Sequence, residues 1–166
     1  MNETLLLPIV LENLNKFEIK FDVLECDDKF ADTAAFCEHY GYTAQQSANT
    51  ILVAVKKNDE NVVACVLLAD SRLDVNKTVC KLMGTKRASF ASADQTKAAS
   101  GMEIGGVTIF GLPISMPVYV DSRVLEQPEV VMGGGNRTSK LVLDPTELEK
   151  LPNVEIIVNL AKPVTA

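Results

Sequence analysis

Two apolar runs dominate the pattern of hydrophobic and polar positions, residues 50–55 (Thr-Ile-Leu-Val-Ala-Val) and 62–68 (Val-Val-Ala-Cys-Val-Leu-Leu). Both are rich in β-branched residues and lack the alternation of a half-exposed strand. They predict strands covered on both faces, or nearly so. The polar stretch 56–61 between them reads as the tip of a hairpin. Earlier in the chain, residues 16–25 alternate Phe17, Ile19, Phe21 and Val23 with polar neighbours, the signature of a strand with one buried face. Further strands are expected at 87–91 (an edge), 117–121, 130–132, 139–143 and 154–158.

Helices fall between these runs. Apolar positions at Leu6, Ile9, Val10 and Leu14 predict a short helix within 3–16, which Pro8 limits to one or two turns. Asp32 is placed to cap a helix through Tyr40, and Gly41 to end it as the residue after the C-cap. Thr43 caps a second short helix through Ala48. Asp74 caps another over 75–83, closed by Gly84, and Ser92 starts one through Ala99, stopped by Gly101. Asp144 followed by Pro145 opens a last helix to Lys150. Hairpins outnumber strand–helix–strand crossovers. The expectation is a mixed α/β fold in one domain, residues 1–166, and not a doubly wound nucleotide-binding sheet.

At 166 residues, 47% hydrophobic and 23% charged, the chain has the composition of a soluble globule with room for a real core. Its apolar runs are shorter than the roughly 20 residues a membrane helix needs. The start, Met-Asn-Glu-Thr-Leu-Leu-Leu-Pro, lacks the positive segment and cleavage site of a secretory signal. Cys26, Cys37, Cys65 and Cys80 show no Cys-x-x-Cys spacing and read as reduced, buried residues of a cytoplasmic protein. A single histidine argues against His-clustered metal sites and a Ser-His-Asp triad, so no metal or cofactor is expected. The net charge of −6 is uneven. Residues 1–40 are strongly acidic, whereas Arg72, Lys77, Lys81, Lys86 and Arg87 face only Asp74 in their segment. That local basic face suits a polyanion touched at one place.

The candidate chemistry lies in two glycine stretches. One is Gly101-Met-Glu-Ile-Gly-Gly-Val-Thr-Ile-Phe-Gly-Leu-Pro113; the other is Gly133-Gly-Gly-Asn-Arg-Thr138. Paired glycines can turn successive N–H groups toward one point and hold an oxyanion or a carboxylate. Gly105, Gly106, Gly134 and Gly135 are therefore candidate donors to a developing negative charge. Each such donor contributes about 3–4 kcal/mol of barrier reduction in ester hydrolysis. Asp121, at the end of the strand joining the two loops, can orient water or an α-ammonium. Thr108, Asn136 and Thr138 can hydrogen-bond a ligand, and Glu103 can meet an amine. Phosphoryl chemistry is disfavoured, because no paired carboxylates stand at metal-binding spacing.

Four segments then come in a telling order: Ser47-Ala-Asn-Thr-Ile-Leu-Val53, Arg72-Leu-Asp-Val-Asn-Lys77, Gly101-Met-Glu-Ile-Gly-Gly-Val-Thr108 and Val131-Met-Gly-Gly-Gly-Asn-Arg137. Together they resemble the YbaK/ProX family of aminoacyl-tRNA deacylases, relatives of the editing domain of bacterial prolyl-tRNA synthetases, over about residues 28–160. The resemblance implies a curved, mixed, largely antiparallel central sheet flanked by short helices. It also implies trans-editing, the hydrolysis of the ester in a tRNA charged with the wrong small amino acid. Asn49 stands where family deacylases typically carry a lysine, and Lys56 and Lys57 lie roughly 20 Å along the strand at about 3.3 Å per residue. Ile109 stands where the family's Gly-x-x-x-Pro loop has its proline.

The resemblance places Asn49, Gly105 and Gly106 at family positions, and with Asp121 from the reading above they are the expected catalytic residues. Ser47, Thr108, Gly134, Gly135, Asn136 and Thr138 become substrate contacts. The basic residues Arg72, Lys77, Lys81, Lys86 and Arg87 would carry the tRNA acceptor end. A synthetase is a further expected partner; membrane and DNA are not. The alternative is a non-catalytic module of the same fold that binds tRNA or a small molecule without cleaving it.

Overall fold

The structure is a computed structural model that describes residues 2–55 and 58–164. In chain order it contains α1 (Pro8–Lys16), β1 (Asp22–Glu25), α2 (Thr33–Tyr40), β2 (Ala48–Val55), β3 (Asn58–Leu68) and β4 (Ser71–Leu73). These are followed by α3 (Cys80–Met83), β5 (Ala88–Phe90), α4 (Ala93–Ser100), β6 (Val118–Asp121), β7 (Val130–Gly133), β8 (Ser139–Leu143), β9 (Val154–Ile157) and β10 (Ala161–Pro163). A five-stranded sheet has the order β5-β2-β3-β6-β9, a three-stranded sheet β1-β8-β7, and a ribbon pairs β10 with β4. Among the described strand pairings β3–β6 and β6–β9 are parallel and the others antiparallel, apart from an isolated parallel bridge between Ser47 and Val131. The fold is thus mixed α/β with mostly antiparallel sheets and short helices.

The two apolar runs become the central hairpin β2–β3. On β3, Val62, Ala64, Val66 and Leu68 enter the larger core, and Val63, Cys65 and Leu67 enter a second one on the opposite face. Continuous hydrophobicity therefore does reflect double coverage. Lys56 and Lys57 of the hairpin tip lie outside the described residues, and β3 already begins at Asn58.

Helix ends follow their stop signals. Gly41, Gly84 and Gly101 each take a left-handed conformation just after a helix, which glycine alone adopts without strain. Ser92 and Gln95 form a capping box on α4. The differences are local. Pro8 occupies the first turn of α1, so the expected helix over 3–16 divides into a 3₁₀ turn at Glu3–Leu5 and α1 proper. The expected strand 16–25 is shortened to β1, because Phe17 and Glu18 close α1 and Glu18 has φ +54°. Residues 75–83 form a π turn, Val75–Val79, before α3. The segments after Thr43 and Asp144 are 3₁₀ turns, Ala44–Gln46 and Pro145–Lys150. All four cysteines are free. Among the described residues, no helix is long and apolar enough to cross a membrane.

Candidate active site

The site arises where the two larger sheets part. Ser47 forms a parallel bridge with Val131 of β7, and β5 pairs only with Val53–Val55 of β2. Between these contacts one edge of β2 has no strand beside it among the described residues. The Leu52 carbonyl accepts from Ala91 N–H on that edge. Backbone groups alternate sides along a strand, so Thr50 turns its N–H and C=O toward the same open edge. The gap is a cavity of about 210 Å³ lined by Thr33, Asn49, Thr50, Gly105, Gly133 and Lys140 among others. A recess of about 20 Å³ adjoins it, sharing Thr33, Asn49, Gly133 and Lys140 and adding Ser47 and Phe36.

Lys140 is the principal charge in this space. It sits on β8 opposite Gly133 of β7. The residue is only 7% exposed. Its ammonium donates to the carbonyl oxygens of Ala31 (2.7 Å) and Gly105 (2.6 Å) and lies 5.5 Å from the Phe36 ring centre. An ammonium has three protons, so one remains beyond these two bonds. Burial pushes the Lys140 pKa down, and the Arg137 charge adds to this; Cys26, Asp32 and Cys37 pull the other way.

Asn49 faces the same space. Its Oδ1 accepts from the Thr33 hydroxyl at 2.7 Å, which orients the amide and leaves the Nδ2 protons without an acceptor among the described residues. The Thr50 hydroxyl oxygen is buried and has no hydrogen-bond partner among them. Asp32 stands at the rim. It occupies the N-cap position of α2, yet its side chain makes no cap bond. It pairs instead with Arg137, which also donates to the carbonyl oxygens of Ile104 and Asp28 and to Asp28 Oδ1. One guanidinium thereby fastens the start of α2 to the first glycine loop.

The expected residues divide. Asn49 and Gly105 line the cavity, and Ser47 lines its recess. Gly105 N–H meets no backbone acceptor among the described residues. Gly106 N–H is taken by the Glu103 carbonyl, and Gly135 N–H by the Gly106 carbonyl at 2.7 Å. The two glycine loops therefore hold each other, and these two amides do not converge on a ligand. Gly134 packs against Leu6 and Ser139, and its carbonyl accepts from Leu7 N–H. Asn136 ties Thr138 and Ser139 to Leu5. Thr108 is fully buried with its amide on the Met102 sulfur. Gly134, Asn136, Thr138 and Thr108 all lie outside the cavity lining.

Asp121 also lies away from it. The residue is fully buried at the end of β6, and neither carboxylate oxygen has a hydrogen-bond partner in range among the described residues. Burial raises its pKa, while the nearby Ala161 amide, the Arg123 charge and the Leu160 amide oppose the shift. Glu103 is exposed, 3.9 Å from Lys97. Arg72, Lys77, Lys81, Lys86 and Arg87 are all exposed, and no ion pair involves them among the described residues. Sequence reasoning missed Thr33, Thr50 and Lys140, and it named Gly133 only as part of the second glycine stretch. A lysine followed at once by Leu-Val-Leu in a strand was the one signal available for Lys140.

A model of the family described as the aminoacyl-tRNA editing domain matches residues 28–151. The chain is 29% identical over 129 residues to the uncharacterised Bacillus subtilis (strain 168) protein YwhH, covering 72% of this chain and 81% of that relative. Among solved structures, the hypothetical protein APE2540 superposes with a TM-score of 0.81 at 24% identity, covering 92% of this chain and 99% of the other. A candidate trans-editing enzyme for prolyl tRNA synthetase superposes with a TM-score of 0.77 at 22% identity, covering 91% and 94%. At such identities the structural likeness concerns the fold.

Proposed function

The chain belongs to the aminoacyl-tRNA editing domain family, and from that premise we propose that it is a trans-editing deacylase acting as one unit over residues 1–166. One observation carries the reading. A buried ammonium with a remaining proton and a carboxamide whose Nδ2 protons have no acceptor among the described residues share a single small cavity.

Ester hydrolysis needs donors at the position where the carbonyl oxygen becomes negative. Lys140 Nζ and Asn49 Nδ2 supply them, and Gly105 N–H is a third candidate. The α-ammonium of the aminoacyl group suits the Thr50 carbonyl on the open strand edge or the Asp32 carboxylate at the rim. Room for one water needs about 10–15 Å³, which the recess of about 20 Å³ beside Lys140 provides. The water oxygen bonds to the ester carbon, the bond from that carbon to the ribose oxygen breaks, and a water proton ends on the ribose oxygen. The products are a free amino acid and an uncharged tRNA.

The cavity volume of about 210 Å³ is below the roughly 300–1,000 Å³ of most ligand pockets, which favours a small amino acid. Such a sieve has a purpose. A synthetase gains only about 1–3 kcal/mol from one methylene and mischarges close analogues. The tRNA acceptor end is the macromolecular partner, a synthetase an accessory one, and the cytoplasm the place of action.

The test is a panel of mischarged tRNAs. Amino acid release above the spontaneous rate for at least one small residue is expected, strongly reduced in Asn49→Ala. No release from any member would defeat the deacylase reading. A second reading, a module that binds without cleaving, is favoured by the internal engagement of Gly106 and Gly135 amides. Saturable binding of charged tRNA with an intact ester would establish it.

A further inference from the structure

We propose that the groove between β4 and β5 binds an unpaired nucleobase of an RNA strand, a reading that rests on the deacylase function above and names where its substrate's strand lies. The groove has a volume of about 670 Å³, with Ile51, Leu67, Val75 and Phe90 among its walls and Arg72 at its side. Ile51 also lines the candidate active site. The two spaces therefore adjoin along β2, and a strand occupying one can reach the other.

Three features suit a base with its phosphates. Phe90 is a large aromatic side chain left 55% exposed on an edge strand. No aromatic or cationic group stacks on its ring among the described residues, so a face is available. Sequence-independent single-strand sites pair such stacking platforms with a positive groove. Arg72 is exposed and forms no ion pair among the described residues, and Lys77, Lys86 and Arg87 flank the same segment. The one carboxylate there, Asp74, is already engaged by Lys77 N–H and the Thr78 hydroxyl. In a chain of net charge −6, this concentration of cations fits a polyanion, and the open Phe90 face suits one that carries bases. The π turn Val75–Val79 beside the groove is a distortion frequent at functional sites.

The chain has no tryptophan, so Phe90→Trp creates a single fluorescent reporter in the groove. Titration with single-stranded oligoadenylate RNA at low salt is expected to quench its emission saturably. Adding Arg72→Glu should shift the midpoint about tenfold. Unchanged emission, or equal quenching by inorganic polyphosphate, would overturn the proposal. Anisotropy of labelled oligoadenylate gives a second measurement free of the tryptophan: Phe90→Ala should weaken binding about tenfold, and equal affinity would overturn it. The probe carries no ester, so the two readings fail separately. RNA-dependent quenching in a protein that cleaves no charged tRNA sinks the deacylase and keeps the groove. Cleavage with unquenched emission does the reverse.

Discussion

Lys140 Nζ and the carbonyl oxygen of Gly105 are joined by a hydrogen bond of 2.6 Å across 35 positions of sequence. The bond fixes the ammonium inside the cavity and closes the first glycine loop over it. The proposed chemistry and the loop geometry therefore draw on the same atom.

Lys140→Met should separate the two roles. Its loss leaves the buried Ala31 carbonyl and the half-buried Gly105 carbonyl without this donor, which costs about 1–3 kcal/mol. Relief of ammonium desolvation offsets part of this. Urea denaturation measures the net loss, and amino acid release should fall about 100-fold or more. Release at the wild-type rate would remove Lys140 from the chemistry.

A pH dependence follows from the same burial. The folded-state pKa of Lys140 lies below the ordinary 10.5, so the folded chain loses this proton before the unfolded chain does. Between the depressed value and 10.5 the unfolded state binds more protons, and stability rises with pH. Below that window the contribution is flat. The difference in urea midpoint between wild type and Lys140→Met should grow as pH climbs toward 10.5; a constant difference would refute the assignment.

Asn49→Ala removes an oriented donor but only a half-buried side chain. Release should drop about 100-fold, with the thermal midpoint within a few degrees of wild type. Loss of the Thr33 hydroxyl in Thr33→Val should lower the rate less, since it frees the amide to rotate without deleting it.

Gly106→Ala probes the contact between the two glycine loops. A methyl group there would fall onto the Asn136 backbone carbonyl, and overpacking of this kind costs about 1–3 kcal/mol. A lowered denaturation midpoint is expected. Unaltered stability would mean that the loops can separate freely.

The double variant Lys77→Glu, Lys81→Glu tests the basic segment. Binding of tRNA should weaken, and the slope of log affinity against log salt should become shallower by about 1.4–1.8, or 0.7–0.9 for each phosphate that is no longer neutralised. Filter binding over a salt series reads both quantities.

Much of this was legible in the sequence because it is local. Caps and stop glycines fix helix ends within a few residues, and Gly41, Gly84 and Gly101 obey that rule. The hairpin runs announced their own coverage. Lys140 escaped because its strand is covered on both faces, so alternation could not say which way a polar residue points. Its carbonyl partners come from Ala31 and Gly105, far away in sequence. The Gly106 and Gly135 amides misled for a related reason. Composition shows donors but not the acceptors that a returning chain brings beside them.

The mutual grip of the two glycine loops has a wider meaning. Gly133 lies so close to the main chain of Gly106 and Val107 that no methyl group fits between them. Where Gly105 and Gly133 line the cavity its wall is consequently main chain, a boundary that exchange of the neighbouring side chains leaves in place.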